Sequence, residues 1–349
     1  MQMISCCAAP LMMVPAACLA DIVPSFTPIA GLPGDNVYAT RSYGISGDGK
    51  VVYGEVRTTG RWETMVWTAA GGTRAFGPGA PFHSNYDGSM LVGWLGRWTE
   101  ASGWQAVPAP SGARSPFRAT GISRDGAVIV GYAGDANTRD QGTRWSQSAG
   151  PTWIPRLPSM TDTQAARVGT SSPLIVGNYS VGGGATWKFD GTTVSELTAQ
   201  GRHVRDMTPD AATCVGESYG GSACGFVLTL SSLMQIPAVA GHSGGGAHGV
   251  SADGRIVVGQ AHPAYPHAYI WDSTHSTRLM QDVLTGMGLN LQGFTALTDC
   301  TGISDDGTTI TGLGVNSRGL EQAWVAVVPG PGSGAVMGMA GFIVCRRRR

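Results

Sequence analysis

Short apolar runs rich in valine and isoleucine recur along this chain, each ended by a glycine. Val51-Val52-Tyr53-Gly54, Val128-Ile129-Val130-Gly131, Leu174-Ile175-Val176-Gly177 and Ile256-Val257-Val258-Gly259 are the plainest. Such runs are too brief for helices, and β-branched residues favour strands. Because they are apolar at consecutive positions, they predict strands covered on both faces. In four places a Gly-[Ile/Val]-Ser-x-Asp-Gly segment stands just ahead of the run: Ser46, Asp48 and Gly49; Ser123, Asp125 and Gly126; Ser251, Asp253 and Gly254; Ser304, Asp306 and Gly307. There the Ser and Asp side chains can hydrogen-bond nearby backbone and the glycine supplies a positive φ, so each segment predicts a tight turn.

Three worn copies fill the gaps, and the closing glycines fall at 54, 93, 131, 177, 216, 259 and 312. Each is followed by an aromatic residue (Trp67, Trp98, Trp145, Trp187, Phe226, Trp271, Trp324). All but the last then continue into a short segment ending in an apolar residue, as in Ala75-Phe76-Gly77 or Gln235-Ile236-Pro237. Each copy therefore reads as four strands, and four strands per repeat of about 40–45 residues is the propeller pattern. The expected fold is all-β: a seven-bladed β-propeller of four-stranded blades. The last copy stops at Trp324–Val328 without a fourth strand, while Phe26-Thr27-Pro28-Ile29 ahead of the first copy matches the fourth-strand segments. The N-terminal strand is expected to complete the last blade and remove two open edges. Leucine and methionine at helical spacing over 279–289 predict one short helix.

Composition adds little chemistry. Arg and Lys balance Asp and Glu at 23 each, so no basic surface points to nucleic acid. The ends differ from the body. Residues 1–20 are uncharged and close on Cys18-Leu19-Ala20, which predicts a signal peptide cleaved after Ala20. After Pro329-Gly330-Pro331-Gly332, an apolar stretch from Ser333 to Cys345 meets Arg346–Arg349. In this tail, 330–349, the apolar stretch is shorter than a transmembrane helix of about 20 residues but suits transient anchoring through 333–349 with the body outside. The propeller is thus assigned to 21–329. An exported chain meets an oxidising compartment, and Cys214 and Cys224, placed symmetrically about Tyr219, are expected to form a cross-strand disulfide.

The pattern G-[IV]-S-x-D-G-x-x-[IV]-x-G with a later tryptophan resembles the HAF extracellular repeat of bacterial secreted and surface proteins, over roughly residues 22–329. The tail resembles a PEP-CTERM sorting signal, with Val328-Pro329-Gly330-Pro331 in place of the usual Pro-Glu-Pro. The resemblance implies export, processing by a membrane sorting protease and a place at the cell surface or in the medium, with no defined activity.

Candidate chemistry is sparse. Gly241-His242-Ser243-Gly244-Gly245 matches a nucleophile motif, but no helix follows to make the required elbow, so it reads as a loop. His242, His248, His262, His267 and His275 lack metal-ligand spacing. The repeated Asp positions 48, 125, 253 and 306 read as turn chemistry rather than calcium ligands. The recurrent tryptophans, at one place in every blade, read as core. No catalytic residue, metal or cofactor is therefore assigned. Specificity on a rigid scaffold usually sits in variable loops, and those at 55–64, 132–143 and 260–268 carry Arg57, Arg61, Trp62, Tyr132, Arg139, Tyr265 and His267. The expected function is that of an exported, monomeric, non-catalytic scaffold or binding propeller for a surface polysaccharide or protein. The alternative is a secreted polysaccharide hydrolase or lyase.

Overall fold

A computed structural model describes residues 22–329, apart from 34–38, 138, 180–184, 199–200, 219–223, 230 and 263–265. The signal segment 1–20 and the tail 330–349 lie outside the described residues, as does Tyr265.

The described residues form seven four-stranded antiparallel sheets. Six follow chain order, so the first strand of each repeat is innermost in its blade. These inner strands are Thr40–Ile45, Pro81–Ser84, Arg118–Ile122, Thr163–Val168, Arg202–Met207 and Gly244–Val250 for blades 1 to 6. Blade 7 has Phe294–Ile303 innermost and takes its outer strand, Ser25–Pro28, from the other end of the chain. That strand pairs Phe26 with Ala326 and Pro28 with Trp324, and Phe26 stacks on the Trp324 ring at 5.8 Å. The ring is closed as the sequence predicts. The helix, Met280–Gly286, packs Met280 and Leu284 into the core of blades 6 and 7.

The repeated turns follow side-chain chemistry. Ser46 Oγ donates to Asp48 Oδ1 (2.7 Å) and accepts from Val51 N (3.0 Å), while Asp48 Oδ1 also accepts from Lys50 N (3.1 Å). The same three bonds recur at Ser123/Asp125, Ser251/Asp253 and Ser304/Asp306. Gly49, Gly126, Gly254 and Gly307 all take φ between 72° and 75°. At Gly126 an added Cβ would meet nothing closer than 3.7 Å, so only backbone strain opposes a side chain. Gly126→Ala is expected to cost about 1–2 kcal/mol in urea unfolding.

Each closing glycine has a different reason. In all seven blades its missing Cβ would lie 1.8–2.3 Å from a carbonyl oxygen in the inner strand or, in blade 2, just ahead of it: Arg41 for Gly54, Ala80 for Gly93, Arg118 for Gly131, Gln164 for Gly177, His203 for Gly216, Gly246 for Gly259 and Asp299 for Gly312. Those carbonyls press inward because every inner strand carries a bulge at the same level. The register breaks between 42 and 44, 81 and 83, 119 and 121, 165 and 167, 204 and 206, 247 and 249, and 300 and 302. The glycine pairs with the residue just before the bulge, so glycine and bulge form one device.

Two expectations need correcting. The recurrent aromatics do not share one place. Trp187, Phe226 and Trp324 face the closing glycines, whereas Trp67, Trp98, Trp145 and Trp271 face residues two positions earlier. A two-residue shift keeps a side chain on the same face of its sheet, so the packing role survives. The Cys214–Cys224 disulfide is absent. The hairpin pairs Ser218 with Cys224 and Cys214 with Leu228, which sets the two sulfurs four positions apart along the strands, and both thiols are free.

Candidate functional site

The seven bulges place one residue per blade on the axis: Tyr43, Phe82, Thr120, Ala166, Arg205, His248 and Thr301. All seven line a central cavity of about 500 Å³. That volume suits a small ligand of one or two rings. The next residue in each inner strand is the glycine of the Gly-[Ile/Val]-Ser motif in blades 1, 3, 6 and 7. In the worn blades 2, 4 and 5 it is His83, Arg167 and Asp206, and all three line the cavity. The copies that depart from the repeat thus supply most of the charge at this level.

The turn end of the cavity is closed. Turn residues of neighbouring blades are linked by hydrogen bonds from Asp48 N to Tyr86 O (2.9 Å), Tyr86 N to Arg124 O (2.8 Å), Thr170 N to Pro209 O (2.8 Å), Ala252 N to Asp305 O (2.9 Å) and Asp305 N to Gly47 O (2.8 Å). Arg124 N completes the step to blade 4 through Thr170 Oγ1 (2.8 Å). Pro209 has no N–H to offer blade 6, and at that junction Val250 N instead donates to Asp206 Oδ2 (3.1 Å). Across the ring, Arg124 Nη2 of blade 3 donates to Asp305 Oδ1 of blade 7 at 2.6 Å. This pair spans the axis at the turn end, with Arg124 in the cavity lining and Asp305 behind it.

The groups that face the cavity are mostly cationic, each with a carboxylate partner. Arg124, Arg167, Arg205 and His248 reach the cavity, while Asp206 is the one carboxylate among the described lining residues. Arg167 pairs with Asp206 (3.3 Å) and also donates to the carbonyls of Thr120 (3.1 Å) and Ala166 (2.9 Å). Arg205 pairs with Glu217, and His248 Nδ1 lies 2.9 Å from Asp299 Oδ1. Burial alone would depress the His248 imidazole, but Asp299 outweighs it and raises the pKa above the ordinary value. His203 goes the other way, lowered by burial and by Arg205. His83 is held well below the ordinary histidine range by burial, with Arg167 and Arg124 adding to the effect, so it is neutral; its Nδ1 accepts from Ile122 N at 3.3 Å. Burial likewise pushes the Tyr53 hydroxyl up to about 12, and burial raises Asp305 against the pull of Arg124. No group of three or more His, Cys, Asp or Glu among the described residues could hold a metal ion.

The described loop residues singled out from the sequence, Arg57, Arg61, Trp62, Tyr132, Arg139 and His267, do not line this cavity. Arg57 is opposite Trp62, whose ring lies 4.4 Å from the Arg41 guanidinium; Arg61 pairs with Glu63 at 2.8 Å. Tyr132 lies under Arg118 at 5.9 Å, Arg139 N donates to Asp135 Oδ1 (3.0 Å), and His267 meets His242 edge to face at 5.2 Å. Sequence reasoning missed the inner-strand residues, yet a signal exists. The bulged residue stands eleven positions ahead of the closing glycine in every blade, from Tyr43/Gly54 to Thr301/Gly312.

No family model matches the sequence, and no curated protein matches it. Solved structures do resemble it. The oligogalacturonate lyase of Vibrio parahaemolyticus has a TM-score of 0.57 at 12% identity, over 88% of this chain and 98% of that one. An oligogalacturonate lyase in complex with manganese gives 0.56 at 14% identity, over 88% and 97%. The propeller domain of the Trilobed protease of Pyrococcus furiosus gives 0.57 at 9% identity, over 82% and 94%. The chain is a seven-bladed β-propeller. At these identities the likeness extends to the fold alone.

Proposed function

We propose that this protein is an exported propeller that binds an acidic saccharide in its axial cavity. The observation that carries the reading is that three guanidiniums and a histidine of raised pKa converge on the lining, each oriented by a carboxylate partner that, Asp206 apart, stands outside it. Guanidiniums bind carboxylates in a planar, charge-assisted fork, and Tyr43 and Phe82 add aromatic surface beside them. The single lining carboxylate, already paired with Arg167, does not suit glycoside hydrolysis, which uses two carboxyl groups across the bond. The signal segment and tail support export and handling by a membrane sorting protease. Among the described residues no helix is long and apolar enough to cross a membrane.

Calorimetry with galacturonic acid and with glucose tests the reading. Binding of the acid alone is expected, with affinity falling at least tenfold in Arg205→Ala; equal binding of both sugars would overturn it. The pH dependence has a definite sign. His248 is charged below its raised pKa, so affinity for the acid should weaken as pH climbs from 6 to 9, and His248→Asn should flatten that profile.

A second reading is elimination at a uronate, the reaction named for two of the structural neighbours. It is favoured by His203, whose lowered pKa leaves it a neutral base beside the Arg205 cation. Ultraviolet absorbance of an unsaturated product on incubation with oligogalacturonate, lost in His203→Gln, would establish it.

A further inference from the structure

We infer that the ligand is an oligosaccharide whose second ring leaves the axial cavity over blade 2 and stacks on Trp94. This rests on the reading of the cavity as an acidic-saccharide site. Three features of blade 2 carry it. First, its second and third strands pair Gly93 with Gly96, so the hairpin turns at once through Trp94 and Leu95. Elsewhere the pairing runs two or three residues beyond the closing glycine, to Arg57, Gly134, Tyr179, Ser218, Ala261 and Val315. At about 3.3 Å per residue the hairpin of blade 2 is roughly 7–10 Å shorter. Its inner strand, at 4 residues, is also the shortest of the seven.

Second, Trp94 is 61% exposed, whereas the chain buries most of its recurrent aromatics, of which Trp94 is not one. Third, the exposed ring is continuous with the cavity. Trp94 meets Phe82, the bulged lining residue, at 5.7 Å and 72°, an edge contact that leaves an indole face open. The turn is held in place by its neighbours: a Cβ on Gly93 would lie 2.1 Å from Ala80 O, and one on Gly96, at φ +114°, 2.2 Å from Gln105 O. A fixed, solvent-facing indole beside a lined cavity is a platform for the apolar face of a pyranose, because an aromatic ring offers large apolar area at little entropic cost.

Calorimetry with galacturonic acid and trigalacturonate, on the wild-type protein, Trp94→Ala and Arg205→Ala, tests the inference. The wild type is expected to bind the trimer about tenfold more tightly than the monomer. Trp94→Ala should lose that gain, keep the monomer affinity and melt like the wild type, while Arg205→Ala should weaken both. A trimer bound no better than the monomer, or a Trp94→Ala protein that weakens both ligands equally, would overturn the second-ring site and leave the cavity reading intact. Absence of binding by either acid in the wild type would overturn both.

Discussion

Gly131→Ala should lower stability by about 3 kcal/mol or more, seen as a fall in the urea midpoint and a drop in melting temperature of roughly 5–10 °C. The new Cβ would lie 1.9 Å from Arg118 O, 2.9 Å from Arg118 C and 3.0 Å from Ala119 Cα. All three are backbone atoms of the neighbouring strand, so no side chain can rotate away. Gly131 does not take a positive φ, so its demand for glycine is purely steric. The clash can be relieved only by flattening the bulge that presents Thr120 to the cavity, so any protein that does fold should also bind the acid less well. Gly126→Ala, five residues away, is the control: it meets only strain and should cost much less. Equal losses at the two sites would show that the carbonyl contact does not decide the requirement.

Arg167→Ala is expected to cost about 2–3 kcal/mol and to weaken acid binding by one to two orders of magnitude. The side chain is 17% exposed and its partner Asp206 14%, so the pair sits in a medium between water and core. Removing the guanidinium leaves two carbonyl oxygens, Thr120 O and Ala166 O, short of a donor, and leaves Asp206 Oδ1 without its cation. Of the stranded groups the unpaired carboxylate costs most, so Arg167→Leu combined with Asp206→Asn, which removes that charge while the two carbonyls stay unpaired, should recover about half of the stability. It should not recover binding, because the ligand's cation is still missing. A double variant as unstable as the sum of the singles would show that the two residues act independently.

The ring was readable because its determinants are local. Ser-x-Asp-Gly turns, paired apolar faces and glycines at regular spacing each need only a few neighbouring residues to act, and their repetition sets the blade count. The closing strand at Phe26 was legible for the same reason: it matches the outer segments that the last copy lacks. The Cys214–Cys224 pairing failed on register. Symmetry about Tyr219 assumes a turn centre that the strands themselves decide, and the packing of Cys214 with Phe226 and Leu228 against Leu174 and Leu197 of blade 4 sets another. The tryptophans misled more gently, since a period of two lets either register fill the same inter-blade space.

Sequence alone determined that this chain builds seven blades and joins its ends, because turn chemistry and strand burial are properties of short segments. It also held the address of the site without revealing it, in the residue eleven positions before each closing glycine. Only the tertiary structure decided what that address means. Closing the sheet into a ring brings Tyr43, Arg205 and Thr301 to one axis, and lets Arg124 reach Asp305 across 181 residues of chain. Convergence of this kind depends on where the blades sit around the axis, and no local pattern encodes it. The worn repeats, which looked like decay in the sequence, are where the fold spends its exceptions: His83, Arg167 and Asp206 stand where the intact copies have glycine.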